Sequence, residues 1–234
     1  MSVILNIETS CSACSTALTA EGMILAHREE PDGRNHAAML SDFIKHCLDY
    51  AREHELKLDA VAVSMGPGSY TGLRIGLSEA KGLAYALDIP LIGVDTLQLL
   101  TTTVMFAQTD LSGDEIFVPM IDARRMEVYT AAYDMALEPL MEEQPLILDS
   151  DSYSELLNTG RPVLFFGNGS EKFRELVKAP NARFIPDVEP LAVEMVALAE
   201  RAAAKGEYLD TAYSVPNYIK DFQATRPRNS VLGQ

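Results

Sequence analysis

The spacing of apolar and polar residues along this chain changes period several times, and each change marks an element. Val3, Ile4, Leu5 and Ile7 form a compact apolar run that predicts a buried strand over 3–7. Strand-like runs at 14–20 and 23–29 flank Glu21-Gly22, a hairpin signal. The period then becomes helical. His36, Met39, Leu40, Phe43, Ile44, Cys47, Leu48 and Ala51 recur at i, i+3, i+4 and i+7, which predicts an amphipathic helix over 36–54 with one apolar stripe. An apolar run at 60–65, a helical segment at 71–87, a strand at 91–94 and a helix near 96–107 follow.

The rest of the chain repeats this order less clearly. Strands are predicted at 116–121, 127–134, 144–148 and 163–166. Ser152-x-x-Glu155 reads as a capping box before a short helix. Gly167-Asn168-Gly169-Ser170 reads as a glycine turn leading into a helix at 171–178, and 191–205 as a final alanine-rich helix. Two tandem βββαβα-like units predict a duplicated α/β fold with a cleft between its halves. The best boundary is 108–114, giving domains at 1–107 and 108–216 and a polar, mobile tail at 217–234 that carries Lys220, Arg226 and Arg228.

Composition narrows the partners. At 234 residues the chain buries a substantial core. No stretch approaches the ~20 apolar residues that span a bilayer, and the opening MSVILNIETS lacks a basic leader region, so a cytoplasmic protein without membrane contact is expected. The net charge of −15, from 19 basic and 34 acidic residues, opposes direct nucleic-acid binding, because that affinity comes from Lys and Arg neutralising phosphates. The segment 138–155 holds six carboxylates and no basic residue, and reads as a solvated surface.

The most distinctive stretch is 59–87: strand, then a loop with Gly66, Gly68 and Gly72, then helix. Such a loop either aims backbone N–H groups at an anion or supplies positive φ and close helix–sheet packing. Thr71 breaks the dinucleotide-binding glycine pattern, and no Gly-Lys-Ser/Thr follows, so neither of the two familiar phosphate loops is present. Cys11-Ser12-Ala13-Cys14 has redox spacing, but it falls between two strand-like runs instead of at a helix start, so a turn with incidental thiols is expected. The four histidines, His27, His36, His46 and His54, include no helical metal pair, and no serine sits in a nucleophile elbow. Two carboxylates occupy equivalent places: Glu8 ends the first strand and Asp122 ends the strand at 116–121. Facing each other across a cleft they would hold Mg²⁺ and polarise a phosphate; otherwise each satisfies local N–H groups. Arg124 and Arg125 beside Asp122 suit an anion, a partner carboxylate or surface ion pairs.

Four segments carry a family resemblance: ILNIETSCSACSTAL at 4–18, GPGSYTGLRIGLSEAKGLA at 66–84, IDARRMEVY at 121–129 and FGNGSEKF at 166–173. Together they resemble the TsaB (YeaZ) family, the non-catalytic subunit of the bacterial machinery that makes tRNA threonylcarbamoyladenosine. The specific loop is Gly66, Pro67, Gly68, Ser69, Thr71, Gly72 and Arg74. The resemblance implies the actin/Hsp70/sugar-kinase (ASKHA, RNase H-like) fold. It implies a TsaD-like catalytic partner and a TsaE-like P-loop ATPase, with ATP or ADP and metal on those subunits and none intrinsic here. The complex would transfer threonylcarbamoyl to N6 of the adenosine beside the anticodon in tRNAs reading ANN codons, and tRNA would be met only through the complex. The partner's H-x-x-x-H metal pair would fall here on Thr96 and Leu100, which cannot bind metal. The family commonly has Asp at position 8 and Gly at position 126; Glu8 and Met126 depart from it, which weakens a kinase-like phosphate site.

In this family the partner is bound through helices of the first domain, which also support a homodimer of the isolated chain. The candidates are Met39, Leu40, Phe43, Ile44, Cys47, Leu48, Gly72, Gly76 and Ala80, whose stripe either packs on its own sheet or covers a partner helix. The competing function is an autonomous ASKHA-type phosphotransferase using Glu8 and Asp122. A peptidase is disfavoured by the missing metal pair and elbow.

Overall fold

A computed structural model describes residues 2–31 and 36–219, and the side chains of 38–219 in that second stretch. His36 as a stripe residue, and the 220–234 part of the expected tail, lie outside what is described.

Two five-stranded sheets carry the fold. In the first, β1 (Val3–Glu8), β2 (Cys14–Ala20), β3 (Met23–Glu30), β4 (Ala60–Gly66) and β5 (Leu91–Asp95) stand in the order β3-β2-β1-β4-β5. In the second, β6 (Ile116–Asp122), β7 (Glu127–Tyr133), β8 (Pro139–Ile147), β9 (Val163–Phe166) and β10 (Ala182–Ile185) stand as β8-β7-β6-β9-β10. The strand orders are the same, 3-2-1-4-5 counted within each sheet. In each, an antiparallel meander leads to a central first strand that pairs in parallel with the fourth. This duplicated plan is the ASKHA architecture.

Both faces of the first sheet are covered, which is why β1 reads as an unbroken apolar run with no visible alternation. Val3, Leu5 and Ile7 face one core, beneath α1 (His36–Glu53) and α2 (Tyr70–Leu87). Ile4 faces the other, with Ala60, Ala62 and Ile92. That second core is closed by a 3-10 turn, Ala192–Met195, and α6 (Val196–Lys205). The helix α3 (Thr96–Ala107) lies between the sheets. Its Leu99 joins the core of the first sheet, while Leu97, Leu100 and Val104 join Phe117, Ile121 and Phe166 of the second. A helix packed on both sides has no room for a charged face, and α3 carries no charged residue.

Several boundaries differ from the sequence expectation. Residues 192–205, which a division at 108 assigns to the second half, pack on the first sheet, because its outer face is otherwise uncovered apolar surface. The β8 strand begins five residues before the expected 144; Pro139 and Pro145 are tolerated because it is an edge strand, which needs no donor on its outer side. The box at 152–155 does not cap a helix. The Ser152 hydroxyl instead donates to Asp149 and accepts from the Asp149 N–H, and α4 (Ser154–Leu157) starts after Tyr153 in a left-handed conformation. The helix expected at 171–178 is only α5 (Glu171–Arg174): the chain then turns so that Leu176 and Val177 reach the core with Phe173. The short strand β10 carried no clear alternation and was not expected.

Candidate functional site

The glycine motif at 66–76 is a packing device. The turn after β1 lies directly on the first turns of α2. A Cβ on Gly72 would stand 2.1 Å from the Thr9 carbonyl oxygen, and one on Gly76 2.2 Å from the Thr9 hydroxyl. The Thr9 hydroxyl donates to the Gly72 carbonyl at 2.8 Å. Three of the donors at the helix start are engaged within the protein: Ser69 N–H reaches the Ser10 carbonyl at 2.6 Å, Gly72 N–H reaches the Ser69 hydroxyl at 3.2 Å, and Leu73 N–H reaches the Ser69 carbonyl at 2.9 Å. Of the two readings the loop allowed, close packing is the one these contacts support. Pro67 is buried, while Thr71 and Arg74 point outward. Arg74 stacks over Tyr70, 4.1 Å from the ring centre, and its Nε donates to the Tyr218 hydroxyl at 2.8 Å.

The equivalent carboxylates Glu8 and Asp122 have opposite surroundings. Glu8 is fully buried; one oxygen accepts the Ser10 N–H, and the other has no hydrogen-bond partner. Burial pushes its carboxyl up to about 7, against the opposing pull of the hydrogen bonds around it. Asp122 is exposed and forms a 2.6 Å ion pair with Lys172, whose ammonium also donates to the Glu127 carbonyl. Asp122 further accepts the Arg124 N–H, and its own N–H donates to the Asn168 side chain. Each acid is thus tied to its own turn, and among the described residues no three His, Cys, Asp or Glu side chains converge as a metal site. The pair does not fit a shared Mg²⁺: one oxygen set is sealed inside, and the other is already matched by a lysine. Arg124 and Arg125 are both exposed on the β6–β7 turn with positive φ, 72° and 53°. Met126, at the position where the resemblance sets Gly, does not carry the positive φ; the two arginines do.

Thr96 and Leu100 are buried, one turn apart, at the start of α3, with the Thr96 hydroxyl unpartnered. The Cys11-x-x-Cys14 thiols are free and face different cores, Cys11 toward α3 and Cys14 under α1 and α2. Burial pushes both thiols up, Cys14 to about 11, which leaves them protonated and inert at neutral pH.

The apolar stripe of α1 packs on its own sheet. Leu40, Ile44 and Cys47 are buried there, and Met39, Phe43 and Leu48 are half-buried. Gly72, Gly76 and Ala80 are buried too. Six of the nine interface candidates therefore present nothing to a partner, because the sheet beneath the helices needs the same apolar stripe. The outward face of α2 is a different set: Thr71, Arg74, Ser78, Gly82 and Tyr85. A Cβ on Gly82 would meet nothing within 4 Å, and Tyr85 is 84 % exposed.

One cluster escaped the sequence reading. Glu143, within the acidic run expected to be solvated, is half-buried, with Oε1 unpartnered and Oε2 accepting from Asn217 at 3.0 Å. Burial, then the charge of Asp95, pushes it up to about 7. Asp95 caps α3 through the Gln98 N–H and is itself pushed up to about 6 by burial. Asn217, at the start of the expected tail, also donates its N–H to the Met65 carbonyl at 2.7 Å. Nothing in a run of surface-type residues signals such a junction, since it brings together segments distant in sequence.

Comparison with known proteins agrees with this geometry. The family model described as "TsaD: tRNA N6-adenosine threonylcarbamoyltransferase" matches residues 25–227. The Escherichia coli "tRNA threonylcarbamoyladenosine biosynthesis protein TsaB" is 30 % identical over 225 residues, 93 % of this chain and 94 % of that protein. The Bacillus subtilis protein of the same name is 33 % identical over 178 residues, 75 % of each chain. A solved structure of YeaZ from Pseudomonas aeruginosa superposes with a TM-score of 0.78 at 28 % identity, covering 93 % of this chain and all of that one.

Proposed function

The chain belongs to the TsaB (YeaZ) family of tRNA threonylcarbamoyladenosine biosynthesis, and from this premise we propose that it is an accessory subunit without catalytic machinery of its own. Its task is to pair with a TsaD-like catalytic subunit, which a TsaE-like ATPase joins, for transfer of threonylcarbamoyl to tRNA. Nucleotide and metal are held by those subunits. The observation that carries this reading is the state of the two carboxylates: Glu8 sealed and half-neutralised by burial, Asp122 matched by Lys172. A phosphotransferase built on that pair needs both acids ionised and open to one metal. In keeping with a protein of this class, no helix among the described residues is long and apolar enough to cross a membrane.

The pairing surface we assign is the outer face of α2, not the stripe of α1. Ser78 and Gly82 let another helix approach closely, and Tyr85 offers an exposed aromatic anchor one turn on. The test mixes this chain with the TsaD-like protein of the same organism and follows size-exclusion chromatography with light scattering. A stable heterodimer is expected, and Gly82→Arg is expected to weaken it more than tenfold while leaving the thermal midpoint within a few degrees. ATP turnover by the lone chain, lost in Asp122→Ala, would instead establish the phosphotransferase. Pairing untouched by Gly82→Arg would move the interface off this face.

A further inference from the structure

In a chain with 34 acidic residues, about half of the described cations pair with a carboxylate or cap a backbone carbonyl. Lys45 and Arg52 hold Asp49, Arg174 holds Glu171, and Lys81 caps the carbonyls of Ala212 and Ser214. Arg124 and Arg125 do neither: their side chains are exposed, with no hydrogen bond or ion pair to any described residue. They also occupy left-handed backbone conformations, where Gly or Asn fits at lower cost than arginine. Among the described residues six other non-glycine positions also take positive φ, but only here do two stand side by side.

The setting of the turn fixes the backbone that carries the pair. Ala123 N–H donates to the Glu127 carbonyl and Glu127 N–H to the Arg124 carbonyl, so the tip is closed by backbone bonds at both ends. Three acids border the tip: Asp122, matched by Lys172, Glu127, which closes the turn, and Asp149, next to Leu148 whose N–H donates to the Met126 carbonyl. Charge more than about 8 Å away is largely screened at physiological salt, so the pull of the tip on an anion is set by the two arginines and these neighbouring acids, not by the net charge of the molecule. Two adjacent guanidinium forks suit the paired oxygens of phosphate.

We propose that the Arg124–Arg125 turn is a contact for the sugar–phosphate backbone of RNA, engaged when the proposed complex presents tRNA to it. This rests on the accessory-subunit reading above. The overall charge keeps the free chain off RNA, and the tip adds one or two phosphate contacts once another subunit has brought the tRNA close. The competing occupant is a carboxylate of a partner protein, which the exposed Met126 beside the turn would also suit.

The test uses the complex reconstituted with the TsaD-like and ATPase subunits of the same organism. Its affinity for unmodified tRNA is measured by fluorescence anisotropy over a salt series, with assembly followed by light scattering. The variants are Arg124→Asn with Arg125→Gly, which relieves the backbone, and Arg124→Lys with Arg125→Lys, which keeps the charge. The Asn/Gly variant is expected to melt at a higher temperature, assemble normally and bind tRNA about tenfold more weakly near 150 mM salt, with the slope of log affinity against log salt reduced by about 1 to 2. The Lys variant is expected to retain the wild-type slope. Unchanged affinity and slope in the Asn/Gly variant would overturn the contact. Loss of assembly in that variant would overturn it too, by assigning the arginines to a partner protein. Failure of the wild-type chain to assemble is a separate result, which overturns the accessory-subunit reading and this inference with it.

Discussion

In the first half of the molecule the carboxylate at the end of the central strand is folded inward; in the second half it is turned out. The two halves share strand order, pairing and a glycine turn beside that strand end. In the first, the turn after β1 is pressed onto α2 at Gly72 and Gly76, and Glu8 is sealed beneath with an unpartnered oxygen. In the second, the turn after β6 is an open hairpin, Asp122 is in solvent with Lys172, and two arginines stand at its tip. A shared position in a fold does not fix chemistry; what covers that position does. Burial pushes one acid up to about 7, and exposure leaves its counterpart as the partner of Lys172 beside a charged turn.

The comparison breaks most readily at the glycines. Gly72→Ala places a methyl 2.1 Å from a backbone oxygen that cannot swing aside, and is expected to cost about 3 kcal/mol or more. Gly169→Ala, in the glycine turn of the second half, meets the Val128 side chain at 2.8 Å and backbone atoms of Ile121 and Asp122 only at 3.1 Å, and is expected to cost less, about 1–2 kcal/mol. Denaturant midpoints of the two variants measure the difference, and equal losses would mean that the halves are packed alike.

Titration sharpens the contrast between the acids. Because the folded chain holds the Glu8 carboxyl up at about 7, above its ordinary value of 4.5, the group favours folding fully at low pH and loses that contribution as pH rises through 7. Glu8→Gln is expected to remove about 3 kcal/mol of that pH dependence between pH 4 and 8. Part of the slope remains in the variant, since Glu143 and Asp95 are raised as well, to about 7 and about 6. A profile unchanged by Glu8→Gln would show that burial does not raise the Glu8 carboxyl. The smallest effect is expected for Lys172→Ala, at most about 1 kcal/mol, because the ion pair is part-exposed and screened. Its signature is faster amide exchange at Glu127 and Arg124 in the hairpin, with the first half unaffected.

How much was legible in advance follows the range of each interaction. The amphipathic helix at 36–54, the hairpin at Glu21-Gly22 and the eight elements of the first half were readable, because periodicity and turn chemistry act within a few residues. The capping box at Ser152 failed because Asp149, three residues back, competes for the same hydroxyl. The candidate site was legible as residue types. Glu8, Asp122, Arg124 and Arg125 were found by position, yet whether the acids met was not, since that depends on what covers each strand end.

By itself the sequence determined the duplicated α/β plan, the absence of a histidine metal pair and the family, because these rest on local patterns and specific motifs. Only the tertiary structure decided that α6 returns to cover the first sheet, and that the stripe of α1 is spent on its own core. It alone decided that Gly72 and Gly76 exist for Thr9, and that Glu143 meets Asn217 and Asp95. The physical reason is common to all four. Apolar stripes, close approaches and shifted carboxylates are defined by a second surface, and that surface is supplied by residues far away in the chain, as Thr9 is from Gly72 and Asn217 from Glu143.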